Sequence, residues 1–221
     1  MRMKTIKRFF VLLLLSVTLL TLASCGEVEI VHDEAEIMTA AEDLIGRSVT
    51  WNHIFFIDGI PVLEGGREQG IYREADPSYL ASLGMSKISD VIAYGKTVFS
   101  SSMMQLFDET LFQSIKNEVG GVASSAVCYD FIEKKDGVSH FVCVMVDPDE
   151  SPRFYASEVI YHYETMQVTY NLNYHATVTL TVSGVGENEG EERELRVNLL
   201  QENGVWYLDG YTFVVFPKAE E

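Results

Sequence analysis

From Val168 to Val182 the chain alternates with a period of two. Val168, Tyr170, Leu172, Tyr174, Ala176, Val178, Leu180 and Val182 hold one parity, and Thr169, Asn171, Asn173, His175, Thr177, Thr179 and Thr181 hold the other. Successive side chains of a strand point to opposite faces, so the run demands extended chain with one side buried and the other wet. It spans 15 residues, longer than the roughly 3–10 of an ordinary strand. The pattern therefore predicts a bend, placed as a bulge near Asn171 to Asn173.

The neighbouring sequence supplies partners for that strand. Gly184 to Glu192 reads as an acidic, glycine-rich hairpin tip, with Leu195, Val197 and Leu199 returning from it. Asn203-Gly204 is a strong two-residue turn, because both residues tolerate positive φ. Trp206 and Leu208 follow, and Tyr211, Phe213 and Val215 are predicted to close the sheet. Upstream, Val127, Tyr129 and Phe131 alternate before a turn at 133–137, Phe141 to Val146 returns from it, and 153–163 forms a further strand.

Before Gly120-Gly121 the period is that of a helix. Asp33 caps a run in which Ile37, Ala41, Leu44, Ile45, Ser48, Asn52 and Phe55 share one face. Val49, Trp51, Ile54 and Phe56 widen that face until Asp58-Gly59-Ile60-Pro61 stops it. Residues 58–76, broken by Gly59, Pro61, Gly65, Gly66 and Gly70, are predicted to be a long loop. Asp76-Pro77 starts a short helix that Gly84 ends. Ser86 caps another, with Ile88, Val91, Ile92, Gly95, Val98 and Phe99 on one side. Beyond Ser100-Ser101-Ser102, a last helix carries Met103, Leu106, Phe107, Leu111 and Ile115, its Met103-Met104 pair assigned to core packing. Helices first and an antiparallel meander after them define an α+β chain, the helices packed on one face of a curved sheet. The helices occupy about 33–116 and the sheet about 122–217, as one domain from 33 to 217.

The N-terminus is of a different kind. Arg2, Lys4, Lys7 and Arg8 precede an uncharged run from Phe9 to Ala23, and Leu22-Ala23-Ser24-Cys25 ends it. Fifteen uncharged residues fall short of the roughly 17–25 that cross a bilayer as a helix. A positive head, an apolar run and small residues in that order read as an export signal. The ending resembles the lipobox of bacterial lipoproteins. That resemblance implies a signal peptide over 1–24, cleavage before Cys25, and a diacylglyceryl thioether on its sulfur. The protein is then anchored to the extracytoplasmic face of the bacterial cell membrane. Residues 25–32 become a lipidated Cys and short tether, with His32 read as solvated, and no long Ser/Gly linker follows.

Charge narrows the partners. The leader holds four of the 16 Lys+Arg and none of the 33 Asp+Glu, so the mature part carries 12 bases against 33 acids, a net −21. Such a surface repels nucleic acid and anionic headgroups. Of three cysteines, two remain once Cys25 is lipidated, Cys128 and Cys143. A four-residue loop at Lys134 to Gly137 sets Glu133 against Val138 and Cys128 against Cys143. A three-residue loop with Gly137 in a bulge sends the two thiols to opposite faces. A disulfide and a pair of buried free thiols both remain open.

Two or three helices followed by long bent strands, ending in Val197 to Tyr211 with its Asn203-Gly204-Val205-Trp206 turn, resemble the NTF2-like, cystatin-like cone-shaped α+β domains. That resemblance implies a sheet curled around a helix with a cavity at the open end, in which enzymes of the group use an acid or base beside a tyrosine. Asp130, Tyr170, Tyr174, Trp206 and Tyr211 are the residues here that could line it. A carboxylate in so apolar a place would have a raised pKa and could act as a base.

No other motif carries chemistry. His32, His53, His140, His162 and His175 show no metal-binding spacing. The Asp147, Asp149, Glu150 group lacks the spacing of a calcium loop. No nucleophile elbow or phosphate loop occurs, and no cofactor is implied. The leading expectation is a non-catalytic surface module for a protein, peptide or small apolar ligand. An NTF2-like isomerase or hydrolase-type enzyme is the alternative, and a homodimerising structural subunit is the third.

Overall fold

A computed structural model describes residues 29–57, 59–61, 63–65, 68–69, 72–74, 76–86, 88–110, 132–133, 140–143 and 156–216. The chain divides into units of residues 1–31 and 32–221, and the fold below is that of the second. Its elements are α1 (Glu34–Phe56), β1 (Glu68–Gln69), β2 (Tyr72–Glu74), α2 (Pro77–Ser82), α3 (Ile88–Gly95), α4 (Ser101–Thr110), β3 (Ile132–Glu133), β4 (His140–Cys143), β5 (Val159–Leu172), β6 (His175–Gly184), β7 (Glu192–Glu202) and β8 (Val205–Leu208). The α+β class follows from the sequence as expected.

Helix α1 begins where the Asp33 carboxylate accepts a hydrogen bond from Ala35 N at 2.8 Å. That contact satisfies an N–H the helix leaves open, and Glu34 and Glu36 complement the positive end of its dipole. Every residue of the predicted face is buried, and Trp51, Ile54 and Phe56 are buried with it. Each such large apolar side chain contributes roughly 1.5–3 kcal/mol by leaving water. The helix lies against β5, β6 and β8. Behind its second half Trp51, Phe55, Phe99 and Phe107 form an aromatic cluster with ring centroids 4.5–5.3 Å apart. Met103 and Met104 are buried in the same core.

The four strands β5-β6-β7-β8 form an open antiparallel sheet in sequence order. Ala176, Val178, Leu180 and Val182 of β6, with Leu195, Val197 and Leu199 of β7, supply its inner face. The expected single strand through 168–182 is instead a hairpin. Leu172 pairs with His175, and Asn173, at φ 56°, turns the corner with Tyr174. The bend assigned to a bulge at 171–173 is thus a two-residue turn, and the register shifts of β5 lie between His162 and Gln167 and between Val168 and Tyr170. Asn203 and Gly204 turn between β7 and β8 with φ of 53° and 82°, as the sequence predicts.

Other segments depart from expectation. The region 58–76 is not loop throughout, since β1 and β2 pair within it and β2 continues onto β4, giving a second sheet of order β1-β2-β4-β3. In that sheet Glu133 pairs with His140, so neither register expected for the 133–137 turn holds, and Cys143 sits across from Tyr72. Cys25, Cys128 and Asp130 lie outside the described residues, as does the 147–150 acidic group.

Val98 and Phe99 do not continue α3. A turn at 96–98 closes on Gly95 O, and Leu208 N then donates to Val98 O and Ser100 N to Leu208 O, so that Phe99 bridges in parallel to the edge of β8. The final segment also differs: Tyr211, Phe213 and Val215 lie beyond the last strand. That segment is held by Ser157 N donating to Val214 O and by Phe216 N donating to the Ser157 hydroxyl.

Candidate functional site

The two-residue turn at Asn173 changes which side chains meet. Across it, Tyr170 pairs with Thr177 and Asn171 with Ala176. Ala176 is buried against the core, so Tyr170 shares the opposite face with His175 and Thr177. Next in the sheet, Thr177 pairs with Asn198 and Thr179 with Arg196. The backbone of Asp209, just past β8, donates to Asn198 O at 2.8 Å. Together Tyr170, His175, Thr177, Arg196, Asn198 and Asp209 line an open depression of about 330 Å3 on the outer face.

Its members are fixed to different degrees. Thr177 is buried, and its hydroxyl donates to Asn198 Oδ1 at 3.1 Å. The amide of Asn198 is thereby oriented, with Nδ2 left to donate. Asp209 Oδ1 accepts from the hydroxyls of Ser100 and Ser102 at 2.6 and 2.7 Å, which locks that carboxylate to the start of α4. Glu202 does the same from β7, accepting from Ser101 N at 2.9 Å and from its hydroxyl at 2.8 Å. Two carboxylates at a helix N-terminus suit its dipole. Arg196 makes no ion pair or hydrogen bond with a described residue.

A second polar group sits on the inner side, between α1 and the C-terminal segment. Ser48 Oγ lies 2.6 Å from Thr212 Oγ1 and donates to Ile45 O, while Asn52 Nδ2 donates to Thr212 Oγ1 at 3.0 Å. Tyr161 completes it by donating to Thr212 O at 3.0 Å. Ser48, Asn52 and Thr212 are all buried. Burial pushes the Tyr161 hydroxyl up to about 12, against a smaller opposing pull from Asn52. Burial raises Tyr163 and Tyr211 as well, with Glu42 adding to the rise at Tyr163. The network is closed on itself and holds only hydroxyl and amide groups, so it offers no ready acid or base.

The tyrosines expected in an interior are divided by the sheet. Tyr170 and Tyr174 are 46% and 56% exposed, Tyr170 on the outer face and Tyr174 at the turn. Trp206 is buried on the inner side, donating from Nε1 to Glu36 Oε1 at 3.3 Å. Tyr211 is partly exposed, with its ring against Phe56, Phe107 and Phe213. The parity of Tyr170 and Tyr174 is the reason: a two-residue turn swaps the face to which even positions point.

His32 is likewise not a free tether residue. Its N–H donates to Asn171 Oδ1, its carbonyl accepts from Asn171 Nδ2, and its Nε2 lies 2.6 Å from Asn173 O. The ring meets Trp206 edge-on at 5.0 Å. Asn171, read as part of a wet face, spends its side chain on this clasp, and Asn173 contributes its backbone carbonyl.

The inner network had a sequence signal, since Ser48 and Asn52 are the two polar residues in an otherwise apolar stripe. Arg196 had none, being one base in a strand of mixed charge. Among the described residues no group of three or more His, Cys, Asp or Glu could hold a metal ion. Among them, too, no helix is long and apolar enough to cross a membrane. No family model matches the chain, and no curated protein matches it.

Proposed function

We propose that the chain is a lipid-anchored, extracytoplasmic binding module, non-catalytic, which presents the outer face of β5–β8 as its contact surface. One observation carries this reading: the outer depression gathers polar groups whose hydrogen-bonding capacity the described residues use only in part, whereas the inner polar cluster satisfies itself. An arginine, an oriented amide and an exposed tyrosine around one hollow are means of recognition. Of the ionisable groups that line it, the Asp209 carboxylate is held by Ser100 and Ser102, which makes it a positioned acceptor for a ligand.

The lipobox-like Leu22-Ala23-Ser24-Cys25 supports the anchor. Two acyl chains, at about 0.8 kcal/mol per buried methylene, hold a protein on a bilayer where one chain does not. The order of helices and sheet, with α1 across the inner face, supports the likeness to NTF2-like domains. In the proposed setting the strongly acidic body keeps the domain off anionic headgroups.

The experiment is metabolic labelling with radioactive palmitate, combined with a membrane-impermeant maleimide on intact cells carrying Thr179→Cys. The proposal expects label on the wild-type chain, its loss in Cys25→Ala, and maleimide modification of residue 179. An unacylated, maleimide-protected chain in the cytosolic fraction contradicts it.

A further inference from the structure

We propose that the depression on β6 and β7 binds a neutral pyranose residue of a glycan. The inference rests on the outer face being the contact surface, and it adds the ligand class.

The groups there are of the kind a sugar ring uses. Each sugar hydroxyl both donates and accepts, so neighbouring hydroxyls are best met by planar side chains that present a donor and an acceptor side by side. Asn198 supplies Nδ2 for donation, because Oδ1 is taken by Thr177. Asp209 supplies Oδ2 for acceptance, because Oδ1 is taken by two serines. Both are therefore held in one orientation before any ligand arrives, which lowers the ordering cost of binding. Arg196 adds N–H donors that no described residue uses. Tyr170, nearly half exposed, offers a ring whose electron-rich face suits the C–H groups of a pyranose. At about 330 Å3 the hollow lies at the lower end of the roughly 300–1,000 Å3 of small-ligand sites, a size for one or two sugar rings.

Other ligand classes fit less well. A peptide adding itself as a strand needs a free sheet edge, and β6 and β7 are each paired on both sides. A cation would meet Arg196 on the wall of the site. An anion would meet Arg196 favourably, but only within the field of a chain with net charge −17. Arg196 and Asp209 both line the hollow, so its wall carries one charge of each sign, and a neutral ligand gives up least.

The test uses full-length protein in a detergent without a sugar headgroup, passed over polyacrylamide-linked glucose, galactose, mannose and N-acetylglucosamine. At least one of these neutral sugars is retained by the wild type. Tyr170→Ala and Asn198→Ala each weaken that binding by at least tenfold, while Thr181→Ala, on the same face outside the hollow, changes it less than twofold. All three variants keep the wild-type circular dichroism, and binding is measured well below the melting transition because Asn198→Ala leaves the buried Thr177 hydroxyl without its acceptor. Retention that survives both Tyr170→Ala and Asn198→Ala overturns the proposal, as does retention of none of the four sugars. If no sugar is retained but envelope extract still protects 170–177 from hydrogen exchange, the contact face stands and the saccharide falls. If that protection is also missing, both fall.

Discussion

Leu172 pairs directly with His175 across a turn of only Asn173 and Tyr174. This one relationship decides where the chain's tyrosines go. Had the alternation continued through a single bent strand, Tyr170 would share a face with Val178 and point into the core. With the turn, it stands beside Thr177 on the outside, and the surface proposed for binding exists because of it.

The turn itself can be tested. Asn173 sits at φ 56°, a region that costs most L-residues about 1–2 kcal/mol and that Asn enters with less strain. Asn173→Gly is expected to keep stability within about 0.5 kcal/mol, while Asn173→Val loses about 1–2 kcal/mol. Urea titration followed by tryptophan fluorescence separates the two, and equal losses would remove the backbone explanation.

Gly95 ends α3 against the ring of Trp51. A Cβ there would lie 2.4 Å from Cζ3 and 2.7 Å from Cη2 of Trp51, and 3.1 Å from Met104 Sδ. The indole is fully buried among Phe55, Phe99 and Phe107 and has nowhere to yield. Overpacking of this kind costs about 1–3 kcal/mol, so Gly95→Ala should lower the melting temperature by roughly 2–12 °C. An unchanged melting temperature would show that this contact is not tight.

Thr212 is the hub of the inner polar network. Thr212→Val keeps the shape but removes the hydroxyl that Ser48 and Asn52 share, leaving buried polar atoms without it. The expected loss is about 1–3 kcal/mol, largely recovered in Thr212→Ser. A valine variant as stable as wild type would mean that the network contributes packing alone.

Stability should also fall in alkali through Tyr161. Its folded pKa is pushed up to about 12 from an ordinary 10.0. The folded state therefore holds this proton more tightly than the unfolded chain does. The contribution is complete below pH 10 and is lost as pH rises towards 12. Two pKa units correspond to roughly 3 kcal/mol at most. Tyr161→Phe, which gives up the bond to Thr212 O at a cost of about 1 kcal/mol near neutrality, should flatten the decline between pH 10 and 12. An equally steep decline in the variant assigns it to other groups.

Local signals were legible wherever one residue carries the physics. Asp33 and Asp76 cap helices because a carboxylate can reach a free N–H. Asn203-Gly204 turns because both residues accept positive φ. The buried stripe of α1 could be read from spacing alone. What the sequence hid is parity and context. Alternation looks the same through a strand or through a two-residue turn, so it could not show that Tyr170 faces out. Val98 and Phe99 fit a helical spacing, yet they bridge to Leu208 because the edge of β8 is there to pair with. Arg196 and Asn198 became a candidate site only when the fold gathered them with Tyr170 and Asp209 around one depression.

The most direct measurement is hydrogen exchange on the detergent-solubilised full chain, with and without extract of the cell envelope. A contact surface on the outer sheet face predicts slower exchange in 170–177 and 194–199, with α1 unchanged. Exchange that is the same in both samples, or that slows only in segments away from this sheet, contradicts the account.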